Sequence, residues 1–179
     1  LSVATANTGN TGIGTNALYT IQTGNYNVAV GGNSLYSLTT GTENVSIGYE
    51  ASQILTKHGS NVHIGRSAGR YASGSSNTFI GKEAGQGGTT SAPYSTGGYS
   101  VALGYQALKA FTTGNYSTTI GYSAGKAITS GNSNTLLGFG AGQSVSTGYA
   151  NTYLGVEAGQ NNNGFDNVII GRQAGNDAT

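Results

Sequence analysis

Aliphatic residues recur along this chain in strict register. Each stands fourth in a short phrase that opens with Asn or Ser, and each is followed at once by Gly. With the opening residue as position 1, the phrases begin at Asn10, Asn27, Asn44, Asn61, Asn77, Ser100, Ser117, Asn134, Asn151 and Asn167. Their spacings are 17, 17, 17, 16, 23, 17, 17, 17 and 16 residues. So regular a period makes each phrase one coil of a stacked array. Position 4 reads Ile13, Val30, Ile47, Ile64, Ile80, Leu103, Ile120, Leu137, Leu154 and Ile170, and position 2 is always Val or Thr. Side chains alternate across a strand, so positions 2 and 4 share a face. The β-branched residues there favour extended backbone. Positions 1 to 4 are therefore expected to form a short strand, with the position-4 aliphatics as the structural core.

Position 5 is Gly in every phrase: Gly14, Gly31, Gly48, Gly65, Gly81, Gly104, Gly121, Gly138, Gly155 and Gly171. Ten in register imply a backbone site that excludes a Cβ, through positive φ or close approach of the next coil. Position 8 is Ala in nine phrases and Ser34 in the other, which suggests a wall pressed against a neighbour. Position 12 is often apolar (Ile21, Leu38, Leu55, Phe111, Ile128, Val145), and a second Gly recurs near position 15 (Gly24, Gly41, Gly114, Gly131, Gly148). The expected fold is all-β: one parallel β-solenoid or β-roll spanning 1–179, of about ten 17-residue coils. Each coil would hold two short strands joined by Gly turns, and the Asn column would form an amide ladder. An inserted loop is expected at about 86–99, where the long spacing and the only proline, Pro93, fall. Position 3, on the expected outer face, turns apolar at Phe79, Leu136, Tyr153 and Ile169. That marks these four as candidate contacts to a partner, most simply another copy of the chain.

Composition narrows the function classes. Only 7% of residues are charged, with seven Lys and Arg against six Asp and Glu, so no basic stripe exists to hold nucleic acid. Cysteine is absent, which removes disulfide and thiolate chemistry. No apolar run reaches the ~20 residues of a membrane-spanning helix. In repeat numbering Leu1 falls at position 9 and Thr179 at position 13. Both ends thus lie inside a coil, as in a piece of a longer fibre or a unit that stacks end to end.

The phrases Asn27-Val-Ala-Val-Gly31, Asn44-Val-Ser-Ile-Gly48 and Ser100-Val-Ala-Leu-Gly104 resemble the head repeats of YadA-like trimeric autotransporter adhesins. The longer stretch from Val101 to Ile120 resembles repeats in phage-type tail fibre proteins, which often end in an intramolecular chaperone. The resemblance covers nearly the whole chain. It implies a left-handed parallel β-roll, trimeric, on a virion or cell surface and therefore extracellular.

Catalytic chemistry is not indicated. Gly12-Ile-Gly14-Thr-Asn-Ala17 matches a loose dinucleotide fingerprint, but Gly14 and Ala17 are repeat positions and no helix follows. His58 and His63 lack partners for a metal and read as surface residues. Glu50, Glu83 and Glu157 share position 7 on one turn column, which does not supply a carboxylate pair across a cleft. Neither enzyme activity nor a cofactor nor a metal is expected. Tyr is in excess, at twelve, and Tyr94 and Tyr99 on the inserted loop are candidate glycan contacts. The leading expectation is a non-enzymatic structural or adhesive fibre segment that binds itself and a surface glycan or receptor. A self-assembling filament subunit is the alternative. An ice-binding solenoid, suggested by Thr23, Thr40, Ser73, Thr113, Ser130 and Thr147, is a distant one. On this reading Ile64→Ala costs ~2–5 kcal/mol in thermal or urea unfolding, and Gly65→Val costs at least as much.

Overall fold

A computed structural model describes residues 8–88 and 94–176. The chain forms an all-β parallel solenoid of about nine turns, with no helix among the described residues. Ten three-residue strands follow one another: β1 Thr11–Ile13, β2 Val28–Val30, β3 Val45–Ile47, β4 Val62–Ile64, β5 Thr78–Ile80, β6 Val101–Leu103, β7 Thr118–Ile120, β8 Thr135–Leu137, β9 Thr152–Leu154 and β10 Val168–Ile170. They lie side by side in sequence order in one sheet. Every pair is parallel and in register, so Val45 lies against Val62 and Ile47 against Ile64. Each strand occupies positions 2 to 4 of its phrase.

Only one strand forms per coil, where two were expected. Positions 7 and 9 are held in the left-handed region, as at Glu50 (φ 57°) and Leu35 (φ 49°), and extended backbone cannot continue through them. The turns still stack by main-chain bonds between coils, for example Leu35 N–H to the Ala51 carbonyl at 3.1 Å and Ser37 N–H to the Gln53 carbonyl at 3.0 Å.

The inward face is the opposite of the one the aliphatic pattern suggested. Position 3 points into the solenoid: Ala29, Ser46, His63, Phe79, Ala102, Thr119, Leu136 and Tyr153 are fully buried. Positions 2 and 4 face out. Ile13, Ile47, Leu103, Leu137, Leu154 and Ile170 are 37–65% exposed, while Val30, Ile64, Ile80 and Ile120 are half-buried. Alternation correctly separates the two faces of the strand, but it does not say which one the turns fold over. Positions 8, 9 and 12 close against position 3, so the interior is built from Ala51, Ala68, Leu35, Leu38, Leu55, Phe111 and Ile128 with the position-3 side chains.

A size match between positions 3 and 9 sets this interior. Small residues at position 3 (Gly12, Ala29, Ala102) accompany Leu18, Leu35 and Leu108 at position 9. Large ones (Phe79, Leu136, Tyr153, Ile169) accompany Gly85, Gly142, Gly159 and Gly175. A Cβ on Gly85 would run into the Phe79 ring, and one on Gly159 would lie 2.5 Å from Tyr153. Most coils therefore hold one large side chain across this layer, supplied from one side or the other, while the Ser46–Ser52 and Thr119–Gly125 coils hold none.

The position-5 glycines meet both demands inferred for them. At Gly65 φ is 130°, and a Cβ there would stand 2.6 Å from the carbonyl carbon of Gly81 on the next coil. Position 1 forms the amide ladder. Asn27 Oδ1 accepts the Asn44 N–H at 3.0 Å and the Asn44 Nδ2–H at 3.0 Å, while Asn27 Nδ2 donates to the Gly41 carbonyl at 2.9 Å. Ser100 and Ser117 carry the column across the middle of the rod, each hydroxyl oxygen accepting the next N–H at 3.2 and 3.3 Å. These amides are fully buried, so each bond adds about 0.5–1.5 kcal/mol net and leaving one unmade would cost more.

Of the expected loop at 86–99, both flanks belong to the stack. Gly88 N–H donates to the Phe111 carbonyl at 2.7 Å, and Thr96 N–H to the Thr112 carbonyl at 2.7 Å. Residues 89–93, including Pro93, lie outside the described residues.

Ile64→Ala now removes outer-face contacts only, so its cost within one chain falls to about 1 kcal/mol. Phe79→Ala takes over as the damaging truncation, at ~3–5 kcal/mol in urea unfolding. Gly85→Leu alone destabilises as well. The pair Phe79→Ala with Gly85→Leu reproduces the Ala29–Leu35 arrangement and recovers at least about 1 kcal/mol of the summed losses. Simple additivity of the two would refute the size match.

Candidate functional site

The candidate contacts at position 3 cannot meet a partner. Phe79, Leu136 and Tyr153 are fully buried, and Ile169 packs against the same core. They line the solenoid because strand alternation puts position 3 on the face that the turns cover. What does reach the surface is the position-2 and position-4 stripe: Val101, Leu103, Leu137, Leu154, Val168 and Ile170 are all exposed. Nine steps of ~4.8 Å make this stripe about 43 Å long. It carries no charge at any rung. Sequence reasoning placed these residues in the core. The reciprocal sizes at positions 3 and 9 were the signal that could have located them outside.

Aromatic rings stack in columns along the rod. Tyr105, Tyr122 and Phe139 at position 6 stack with centroids 5.0 and 5.1 Å apart, and the Lys82 ammonium lies 5.6 Å from the Tyr105 ring centre. Tyr19 stacks on Tyr36 at 5.1 Å, and Tyr149 on Phe165 at 5.1 Å. In-register stacking explains these columns, since each ring sits over its counterpart one coil away. It also covers the ring faces, and a sugar stacks on a face. Candidate Tyr99 is 60% exposed, but one face is taken by Tyr116 at 5.4 Å. Candidate Tyr94 is half-buried beside the loop.

The titratable groups are mostly engaged. Glu50 pairs with Arg70 at 2.8 Å. Glu83 pairs with Lys109 at 2.8 Å and accepts from Gln106 at 2.8 Å, and the Lys109 bond, followed by that from Gln106, holds its carboxyl below the usual range. Glu157 accepts from Gln173 at 2.8 Å. No group of three or more His, Cys, Asp or Glu that could hold a metal occurs among the described residues. No helix among them is long and apolar enough to cross a membrane.

His63 departs most from expectation. It is not a surface residue but is fully buried in the solenoid, stacked on Phe79 with ring centres 4.8 Å apart. Gly69 opposite leaves room for its ring, as the size match requires. His63 Nδ1 lies 2.6 Å from Ser52 Oγ, which lies 2.5 Å from Ser46 Oγ. Ser34 Oγ donates to the Ser46 carbonyl at 2.8 Å. Nε2 is buried with no hydrogen-bond partner among the described residues. This polar layer separates an N-terminal apolar cluster around Leu35, Leu38 and Leu55 from a longer one running from Ala72 to Ala158. A nucleophile and base within bonding distance could suggest catalysis, but the pair is sealed from solvent and from substrate.

No family model, curated protein or solved structure matches the chain.

Burial lowers the His63 pKa from 6.5 to about 3. Below pH 6.5 the unfolded chain therefore binds a proton that the folded chain refuses. Stability contributed by the neutral ring is complete above pH 6.5 and is lost as pH falls towards 3. The loss totals roughly 4–5 kcal/mol, at about 1.4 kcal/mol per pH unit. Melting measured from pH 7 to pH 5, above most carboxylate titration, should show this slope. In His63→Phe, which keeps the stack on Phe79, the slope should vanish; its persistence would exonerate His63.

Proposed function

We propose that this chain is a non-enzymatic structural and adhesive segment of a surface fibre, assembled from several copies through the outer face of its sheet. The observation that carries the reading is the uncharged stripe along all ten strands, aliphatic at every position 4 and Val or Thr at every position 2. Monomeric soluble proteins rarely leave a continuous apolar band of this length in water. A second copy is the natural cover. It presents the same rung spacing, so Ile and Leu of one chain can seat between rungs of the other along the full length. The band also suits a partner without charge, because any carboxylate or ammonium laid on it would lose its water without gaining a counter-ion.

The resemblance to YadA-like heads and tail fibre repeats supports a trimer, a left-handed coil of about ten turns and a place on a cell or virion surface. The non-enzymatic reading draws support from the engaged carboxylates and the enclosed His63. Adhesion would fall to side chains on the turns, since the strand face is given to self-association.

Analytical ultracentrifugation tests the reading. The parent chain should sediment as a defined oligomer at micromolar concentration. Ile120→Lys with Leu137→Lys should sediment as a monomer with an unchanged circular dichroism spectrum, because two buried ammonium groups per interface cost several kcal/mol. A monomeric parent, or an oligomer indifferent to the two lysines, would overturn it. Open-ended growth of the parent under electron microscopy would favour the filament subunit instead.

A further inference from the structure

From Gln53 onward the position-10 side chains form a polar column down one turn face. Midway along it lies a groove of about 670 Å³. Gln86, Lys109, Lys126 and Gln143 line it from four successive coils, with Tyr71 at one end. Ala110 and Ala127 form part of its floor, which gives a shallow trough with polar walls. It is separate from the aliphatic stripe.

Three features point to an occupant. First, Lys109 and Lys126 hold the same position on adjacent coils, one strand spacing apart, where like charges repel. Glu83 offsets Lys109 at 2.8 Å, but Lys126 has no ion pair among the described residues. Second, Gln143 accepts from Gln160 at 3.3 Å, so its own NH₂ group keeps its donors for another partner. Third, the Arg70 guanidinium lies 4.9 Å over the Tyr71 ring, and Tyr71 itself lines the groove. Cations, amide donors and an aromatic face along an apolar-floored trough are the elements of carbohydrate recognition, with the cations selecting an acidic sugar. The lining repeats once per coil, close to the advance of one pyranose along an extended polysaccharide. Two cations are too few to hold a nucleic-acid backbone, whose affinity comes from many phosphate contacts.

We infer that this groove binds a linear carboxylated polysaccharide, laid along the rod axis with about one sugar per coil. Lys126 pairs with a carboxylate, Gln86 and Gln143 bond hydroxyls, and Tyr71 stacks on a terminal ring. The inference rests on the fibre reading, since it places the adhesive surface on the turns.

Affinity electrophoresis in gels cast with polygalacturonate tests it, with fully methyl-esterified polygalacturonate as the uncharged control. The parent should be retarded by the acid polymer and not by the ester. Lys126→Gln should weaken retardation about tenfold and Gln143→Ala several-fold. Both variants should retain the parent's sedimentation and melting, because these residues sit on the turn surface. Absence of retardation, equal retardation by ester and acid, or indifference to both substitutions would overturn the groove assignment. Sedimentation of the parent tests the fibre reading separately, so failure of one is distinguishable from failure of the other. Stronger retention by single-stranded DNA than by polygalacturonate would likewise reject the assignment, in favour of a non-specific cation effect.

Discussion

In-register parallel stacking governs this molecule. Each residue lies over the residue of the same position one coil away, so every column must tolerate its own repetition at about 4.8 Å. Amides tolerate it well, since the Asn27 carbonyl oxygen can accept from Asn44 while Asn27 itself donates to Gly41. Aromatic rings tolerate it by stacking. Like charges do not, and the chain is only 7% charged. No two carboxylates share a column on neighbouring coils, and the acids find cations from other columns, as Glu50 finds Arg70, or amides one coil along their own, as Glu157 finds Gln173. Cations do share columns, Arg66 with Lys82 at position 6 and Lys109 with Lys126 at position 10, and the second pair lines the groove.

A narrow interior follows from the same constraint. Main-chain bonds fix the spacing of the coils, so the core can adjust only within a rung. It does so by exchanging bulk between positions 3 and 9. Phe79 over Gly85 and Ala29 under Leu35 are two solutions to one volume problem. Where the large residue is His63, the same pocket must also accommodate polar atoms. Ser52 and Ser46 supply partners for one ring nitrogen only. The apolar core divides at this layer, which ties the rod's acid sensitivity to a single rung.

With the interior closed by positions 3, 8, 9 and 12, the most aliphatic columns of the sequence are left outside. That inversion joins the fold to the proposed function. A protein of this length can satisfy its backbone within one chain yet still carry a long dry band, and association between copies is the simplest way to cover it. The turn faces then remain free to present polar columns. Assembly and ligand contact are thereby allotted to different sides of each coil.

Much of this was legible in the residues themselves. The period, a strand within positions 1 to 4 of each phrase, the demand for Gly at position 5 and the Asn ladder all follow from local chemistry repeated at fixed spacing. Gly65, for example, needs no knowledge of the interior to be recognised as a site that excludes a Cβ. The inward face of the strand was decided by tertiary structure alone. Alternation assigns Ile47 and Ser46 to opposite faces, and hydrophobicity then favours burying Ile47. The left-handed backbone at positions 7 and 9 folds the turn over Ser46 instead. The same closure buried His63, Phe79, Leu136 and Tyr153 and gathered Tyr71, Gln86, Lys109, Lys126 and Gln143 around one groove. Sequence period fixes which residues stack upon one another, because that depends on spacing along the chain. Inside and outside depend on which way the coil closes, and that is set by backbone dihedrals and by the fit of side chains across the coil.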